Sequence, residues 1–134
     1  MAIFSISDLH LGMSVNKPMD VFGANWTDYV NRLADNWKSV VCDEDLVLIP
    51  GDITWATYIK EAVLDFQYIH ELPGIKIITK GNHDYWWETL KKLNAFLAEN
   101  HFDSIHFLHN SIYTYGGAVI CGTKGYPDTD GILP

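Results

Sequence analysis

Residues 75–84 read Ile75-Lys76-Ile77-Ile78-Thr79-Lys80-Gly81-Asn82-His83-Asp84. Four of the first five are β-branched, which predicts a short strand over Ile75–Thr79. The composition then changes at once to a glycine, an amide, an imidazole and a carboxylate. An apolar strand that delivers such side chains at its carboxyl end is the layout of a site at the edge of an open α/β sheet. The same layout occurs twice earlier. Ala2–Ser7 is a short apolar strand followed by Asp8-Leu9-His10, and Leu46-Val47-Leu48-Ile49, apolar enough to be buried on both faces, is followed by Gly51-Asp52.

The segments between these strands carry helical periodicity. Trp26, Tyr29, Val30, Leu33, Trp37 and Val40 predict a helix over Trp26–Val41. Ile59, Ala62, Val63, Phe66 and Ile69 predict a second from about Thr57 to Leu72, closed by Pro73-Gly74. Trp86, Leu90, Leu93 and Leu97 predict a third over Tyr85–Asn100. Leu11–Asn25, with Gly12, Pro18 and Gly23, reads as loop. A fourth strand over His106–Leu108 and a hairpin of Ser111–Tyr115 and Ala118–Gly122, turned at Gly116-Gly117, complete the pattern. The order β-α-β-α-β-α followed by strands gives an α/β fold with a sheet that is parallel at its start. With no internal repeat, low-complexity tract or linker, residues 1–134 form one domain. Gly122 to Pro134, rich in glycine and proline, reads as loop, so the chain stops just after a strand and the domain is expected to be incomplete.

Length and composition agree with a globular domain of 134 residues, 48% hydrophobic. The formal charge of −8 argues against a nucleic-acid partner and would repel an anionic substrate unless bound cations reversed the sign locally. No apolar run is long enough to span a bilayer, and the N-terminus lacks the basic region of a signal peptide, so no membrane partner is expected. Cys42 and Cys121 form no metal-type pair and read as two free, buried thiols of a cytoplasmic protein.

Each strand-end motif alone is weak, because Asp after a strand is often a turn or cap residue. Their conjunction is not. Two carboxylates, two imidazoles and an amide oxygen brought to one sheet edge are ligands for divalent metals. Asp8-x-His10, Gly51-Asp52 and Gly81-Asn82-His83-Asp84, in that order and at these intervals, resemble the N-terminal motifs of the calcineurin-like (binuclear) metallophosphoesterases. The resemblance covers essentially the whole chain. It implies the N-terminal part of a four-layer α/β/β/α sandwich and hydrolysis of a phosphate monoester or diester by a metal-bound hydroxide. It implies two divalent ions, Mn, Fe or Zn. Asp8 and His10 would hold the first ion, Asp52 would bridge the pair and Asn82 would bind the second. His83 would face the substrate, as phosphate donor or acid to the leaving group, and Asp84 would fix its tautomer.

The family completes its site with a Gly-His motif and a Gly-His-x-His motif, and neither occurs in this chain. His101, His106 and His109 read as helix-end, strand and turn residues. Asp8, His10 and Asp52 thus remain for the first ion, but only Asp52 and Asn82 for the second, so two ions are expected in the complete site and one or none in this chain alone. The alternative function is a metal-poor half-domain with a binding or assembly role and little catalysis. A nuclease of the same superfamily is a weaker alternative. The second sheet of the implied fold would be largely missing, which predicts an uncovered apolar face, and with it self-association or a complementing C-terminal half. Trp55, Tyr58, Trp86 and Trp87 flank the motifs and read first as packing aromatics, and Lys80 and Lys124 as surface lysines within reach of a phosphate.

Overall fold

The structure, a computed structural model, describes residues 1–17 and 19–125. Pro18 of the first loop and the ending beyond Gly125 that was read as loop lie outside them. Four strands, β1 (Ile3–Ser5), β2 (Leu46–Ile49), β3 (Ile75–Ile78) and β4 (Ile105–Phe107), form one parallel sheet in the order β1-β2-β3-β4. The register pairs Ile3 with Leu46, Leu46 with Ile75, and Lys76 with Ile105. Three helices make the crossovers: α1 (Tyr29–Val40), α2 (Val63–Glu71) and α3 (Leu90–Glu99). Strands β5 (Ser111–Tyr115) and β6 (Ala118–Gly122) pair antiparallel as a separate hairpin.

Because side chains alternate across a strand, the sheet has two distinct faces. Val47, Ile49, Ile78, Ile105 and Phe107 join Trp37 of α1, Phe66 and Ile69 of α2, and Leu93, Phe96 and Leu97 of α3 in the main core. All three crossover helices therefore lie on one face, as successive right-handed connections in a sheet of this order require. On the other face Leu46, Ile77 and Leu108 pack against Tyr113, Tyr115 and Ile120 of the hairpin. Helices, parallel sheet and hairpin make three layers, and the fold is the expected α/β architecture. Among the described residues nothing forms a layer outside the hairpin, where Ile112 and Val119 are exposed. No helix among them is long and apolar enough to cross a membrane.

The helices start later than the periodicity predicts, each for a local reason. Ala24–Trp26 is a 3-10 turn and Asp28 adopts φ 53°, so α1 begins only at Tyr29. Ile59–Glu61 is likewise a 3-10 turn before α2. Tyr85–Trp87 belong to a turn tied to the preceding motif, with the Trp87 N–H donating to the Asp84 carbonyl at 3.1 Å. Helix α3 then opens at its cap Thr89, whose hydroxyl accepts from the Lys92 N–H. Strand β4 sits one residue earlier than expected, at Ile105–Phe107. Leu11 in the first loop forms an isolated parallel bridge with Thr54. Cys42 and Cys121 are free, as expected, but both are exposed rather than buried.

One lysine lies wholly inside. Lys76 of β3 is 0% exposed, and its ammonium donates to the carbonyls of His70 and Leu72, the unpaired carbonyl end of α2. Burial pulls its pKa down to about 8. The centre of the main core is Phe66, fully buried and in edge contact with Phe96, Phe107 and Trp86. Phe66→Ala should destabilise the fold by about 3–5 kcal/mol, measured by urea denaturation. A loss under about 1 kcal/mol would mean that the helical layer repacks freely around the cavity.

Candidate metal centre

The strand order β1-β2-β3 carries the three motifs side by side. Past the strands the chain does not turn away; the first two loops run on together. The Asp8 N–H donates to the Gly51 carbonyl (3.1 Å), His10 N–H to the Asp52 carbonyl (3.0 Å) and Leu11 N–H to the Ile53 carbonyl (2.8 Å). The third loop closes against the second at glycines. A Cβ added to Gly51 would lie 2.5 Å from the Gly81 Cα, and one added to Gly81 would lie 2.3 Å from the Asp52 N, so the close approach requires both residues. Gly51 itself has φ 99°.

Asp8, His10 and Asp52 have φ values of 60°, 45° and 53°, the left-handed region that non-glycine residues seldom occupy. Three such residues in one cluster mark a constrained site. One ligand atom from each, a carboxylate oxygen or an imidazole nitrogen, lies within 4.8 Å of the others. His10 Nε2 stands 3.6 Å from Asp8 Oδ1 and 3.8 Å from Asp52 Oδ2, too far for a hydrogen bond to either. Two carboxylates and an imidazole that converge without bonding one another fit a borderline or hard divalent cation. The His10 ring stacks on Trp55, with centroids 5.0 Å apart and planes at 24°, and its carbonyl accepts from the Tyr29 hydroxyl at 2.9 Å. Ser7 donates its hydroxyl to Asp8 Oδ2.

His83 faces the same cluster. Its Nδ1 lies 2.9 Å from Asp52 Oδ2, and its backbone N–H donates to Asp52 Oδ1 at 2.9 Å. Burial alone would push the Asp52 carboxyl up, but the ring and backbone hydrogen bonds from His83 hold it below the usual carboxylate range. Asn82 is exposed on the turn before His83.

The expected pairing of Asp84 with His83 is not what the chain builds. Asp84, 1% exposed, turns inward and accepts from the N–H groups of Asp52 (2.8 Å), Ile53 (2.8 Å) and Gly81 (2.7 Å) and from the Trp86 indole (3.1 Å). Burial pushes its carboxyl up even against those donors. The carboxylate on the His83 ring is that of Asp52. Trp86 is a buried packing aromatic, as read from the sequence, whereas Trp55 also stacks on a ligand. The sequence reading passed over Ser7, Tyr29 and Asp65, which reach the ligands or their loops. Asp65 alone carried a signal, as a charged residue within the apolar stripe of α2.

A family model described as calcineurin-like phosphoesterase matches residues 1–132. The chain is also similar to the crystal structure of a protein of unknown function from Aquifex aeolicus, at 24% identity and a TM-score of 0.55. That match covers 99% of this chain and 65% of the other, so the chain spans less than two thirds of that protein, and at this identity the likeness speaks for the fold alone. No curated protein matches the chain.

A cation held by Asp8, His10 and Asp52 should stabilise the folded state by mass action. At a hundredfold excess of Mn²⁺ or Zn²⁺ over its Kd the gain is about 2.7 kcal/mol, a rise in melting temperature of about 5–10 °C. Asp52→Asn should abolish most of that rise. A wild-type melt that neither ion moves would rule the site out.

Proposed function

The chain belongs to the calcineurin-like phosphoesterase family, and from that premise we propose that it takes part in metal-dependent hydrolysis of a phosphate monoester or diester. The observation that carries this reading is the convergence of Asp8, His10 and Asp52 ligand atoms within 4.8 Å, beside His83. Divalent ions, when bound, supply Lewis-acid chemistry, activating water and neutralising phosphate charge. They also answer the electrostatic problem of an anionic substrate meeting a chain of net charge −8.

The chain's own residues have separable tasks. Asp8, His10 and Asp52 hold the first ion, and Asp52 and Asn82 offer ligands to a second. His83 directs Nδ1 to Asp52, which leaves Nε2 as the ring atom for the substrate. Protonated there, it donates to a phosphate oxygen and then gives its proton to the leaving alkoxide as the P–O bond breaks. Asp52, not Asp84, sets the ring's orientation. A cleft of about 470 Å³ opens beside Asp8, lined by Ser7, Asn25, Trp26, Tyr29 and Arg32 among others, of a size that small-molecule sites commonly have.

The assembly reading rests on a different observation. Ile112 and Val119 on the outer hairpin face, and Ile3 on β1, the edge strand of the sheet among the described residues, are exposed apolar residues on sheet surfaces. Such surfaces favour a second copy or a complementing C-terminal half, which would also bring ligands for the second ion. Light scattering should give a mass above that of one chain, and a clean monomer at high concentration would refute the association.

For the catalytic reading, His83→Ala should lower turnover of an aryl phosphodiester by about 10²–10⁴-fold while metal content holds. Asp52→Ala should remove metal and turnover together. The chain alone should turn over slowly, having two ligands for the second ion, and supplying the complementing half should raise the rate. An extended protein that binds metal yet cleaves no phosphoester would favour the binding role instead.

A further inference from the structure

Besides Asp84, a further fully buried carboxylate lies outside the ligand set. Asp65, in the first turn of α2, is 0% exposed. Its Oδ1 accepts from the N–H of Met13 at 3.0 Å and, more weakly, from that of Ser14 at 3.4 Å. Its Oδ2 accepts from the Thr54 hydroxyl at 2.6 Å. The Asp65 N–H, one of the unpaired donors of the helix start, donates in turn to the Ser14 hydroxyl at 3.2 Å. Met13 and Ser14 follow His10 by three and four residues, and Thr54 follows Asp52 by two. One side chain therefore grips both ligand loops just beyond their ligands, on either side of the bridge between Leu11 and Thr54. Helix α2 cannot yield to either loop, because Phe66 and Ile69 anchor it in the main core.

We propose that Asp65 is a positioning residue of the metal centre: by binding both loops it fixes the register of the His10 loop against the Asp52 loop, and so sets the affinity for a divalent cation. The proposal rests on the assignment of Asp8, His10 and Asp52 as ligands. A ligand trio drawn from two loops binds well only if the loops hold one relative placement before the ion arrives, and the partners that orient ligands are worth about 10–100-fold in affinity. The zipper from Asp8 N–H to Leu11 N–H supplies part of that placement, but it sits on backbone in the left-handed region and needs an outside hold. Asp65 is that hold, and it ties the site to the helical layer.

The test compares variants of the full chain by calorimetric titration with Mn²⁺ and by amide hydrogen exchange of the metal-free protein. Asp65→Ala cuts both arms, Thr54→Val cuts the Asp52-loop arm alone, and Asp65→Asn keeps an acceptor for the N–H groups while offering its amide to the Thr54 oxygen. Phe102→Ala, before β4 at the opposite end of the sheet and packed against His70 and Phe96, serves as a control that lowers the melting temperature from a site away from both loops. Asp65→Ala and Thr54→Val should weaken Mn²⁺ binding by about tenfold or more, with Asp65→Asn recovering most of the loss. Phe102→Ala should stay within about twofold of wild type. In the metal-free protein Asp65→Ala should lose exchange protection at the His10 and Leu11 amides, which Asp65 does not itself contact, and Phe102→Ala should retain it. Unchanged protection at those amides, or an equal loss of affinity in Phe102→Ala, would overturn the proposal. Should wild type bind no Mn²⁺ while protection at His10 and Leu11 still depends on Asp65, the ligand assignment would fail and the proposed control of affinity with it, leaving only the loop register to Asp65.

Discussion

The carboxylate of Asp84 is the interaction on which the site depends. Gly51 and Asp52 take positive φ, so the chain past β2 leaves the sheet ladder, and the N–H groups of Asp52 and Ile53 need acceptors elsewhere. Unpaired, each would carry the cost of a buried, unsatisfied donor. Asp84 accepts both, along with the Gly81 N–H and the Trp86 indole, so four donors meet one buried side chain. Two of these come from the second loop and two from the third, which makes Asp84 the joint between them. The glycines at 51 and 81 let the two backbones approach closely enough for one carboxylate to reach both.

A second consequence is electrostatic. Asp8, Asp52 and Asp84 bring three carboxyl groups to the same few residues of sheet edge. They are not equivalent. Asp84 faces only donors and is sealed from solvent; Asp52 is 7% exposed and faces His10 and His83; the Asp8 side chain is 60% exposed. Among the carboxyl groups exposure thus increases from the β3 loop to the β1 loop. The inner carboxylate organises backbone, the middle one is shared between the ligand cluster and the histidine, and the outer one is left for an ion. Acidic residues that would repel one another in an empty site favour a cation between them.

Much of this was legible in the sequence because strand ends carry identity. Leu46–Ile49 and Ile75–Ile78 are too apolar to be anything but buried strands, and ligand-type residues directly after three such strands have one place to go in a parallel sheet. Side-chain partnerships were less legible. Asp84 follows His83, and neighbours in sequence suggest a pair, yet consecutive side chains in a tight turn diverge, and the backbone donors freed at Asp52 compete for the carboxylate. Helix starts were overread because Trp26 and Trp86 keep helical spacing while packing from turns. The exposure of Cys121 follows from period-2 alternation, which sets it beside Val119 on the outer face of the hairpin. The grip of Asp65 depends on contacts 52 and 11 residues away, which no local pattern encodes.

The fold also explains why the site and the exposed surface belong together. The helical layer packs on one face of the sheet, and it supplies the anchor, Phe66 and Ile69, behind the loops that carry Asp8, His10 and Asp52. Among the described residues the opposite face receives a two-stranded hairpin, too little to be stable by itself, and held here by packing on Leu46, Ile77 and Leu108. Gly122 sits so close over Leu108 that an added Cβ would come within 2.7 Å of it, so the hairpin seats tightly at that end. Among the described residues nothing packs on its outward side, where Ile112 and Val119 are exposed, and nothing pairs with the outer edge of β1. The chain that gathers the candidate trio Asp8, His10 and Asp52 thus covers one sheet face with helices and the other with a hairpin alone among the described residues. A layer packed on the hairpin's outward face would bury Ile112 and Val119, and a ligand carried on a strand added to its edge would be positioned by sheet hydrogen bonding.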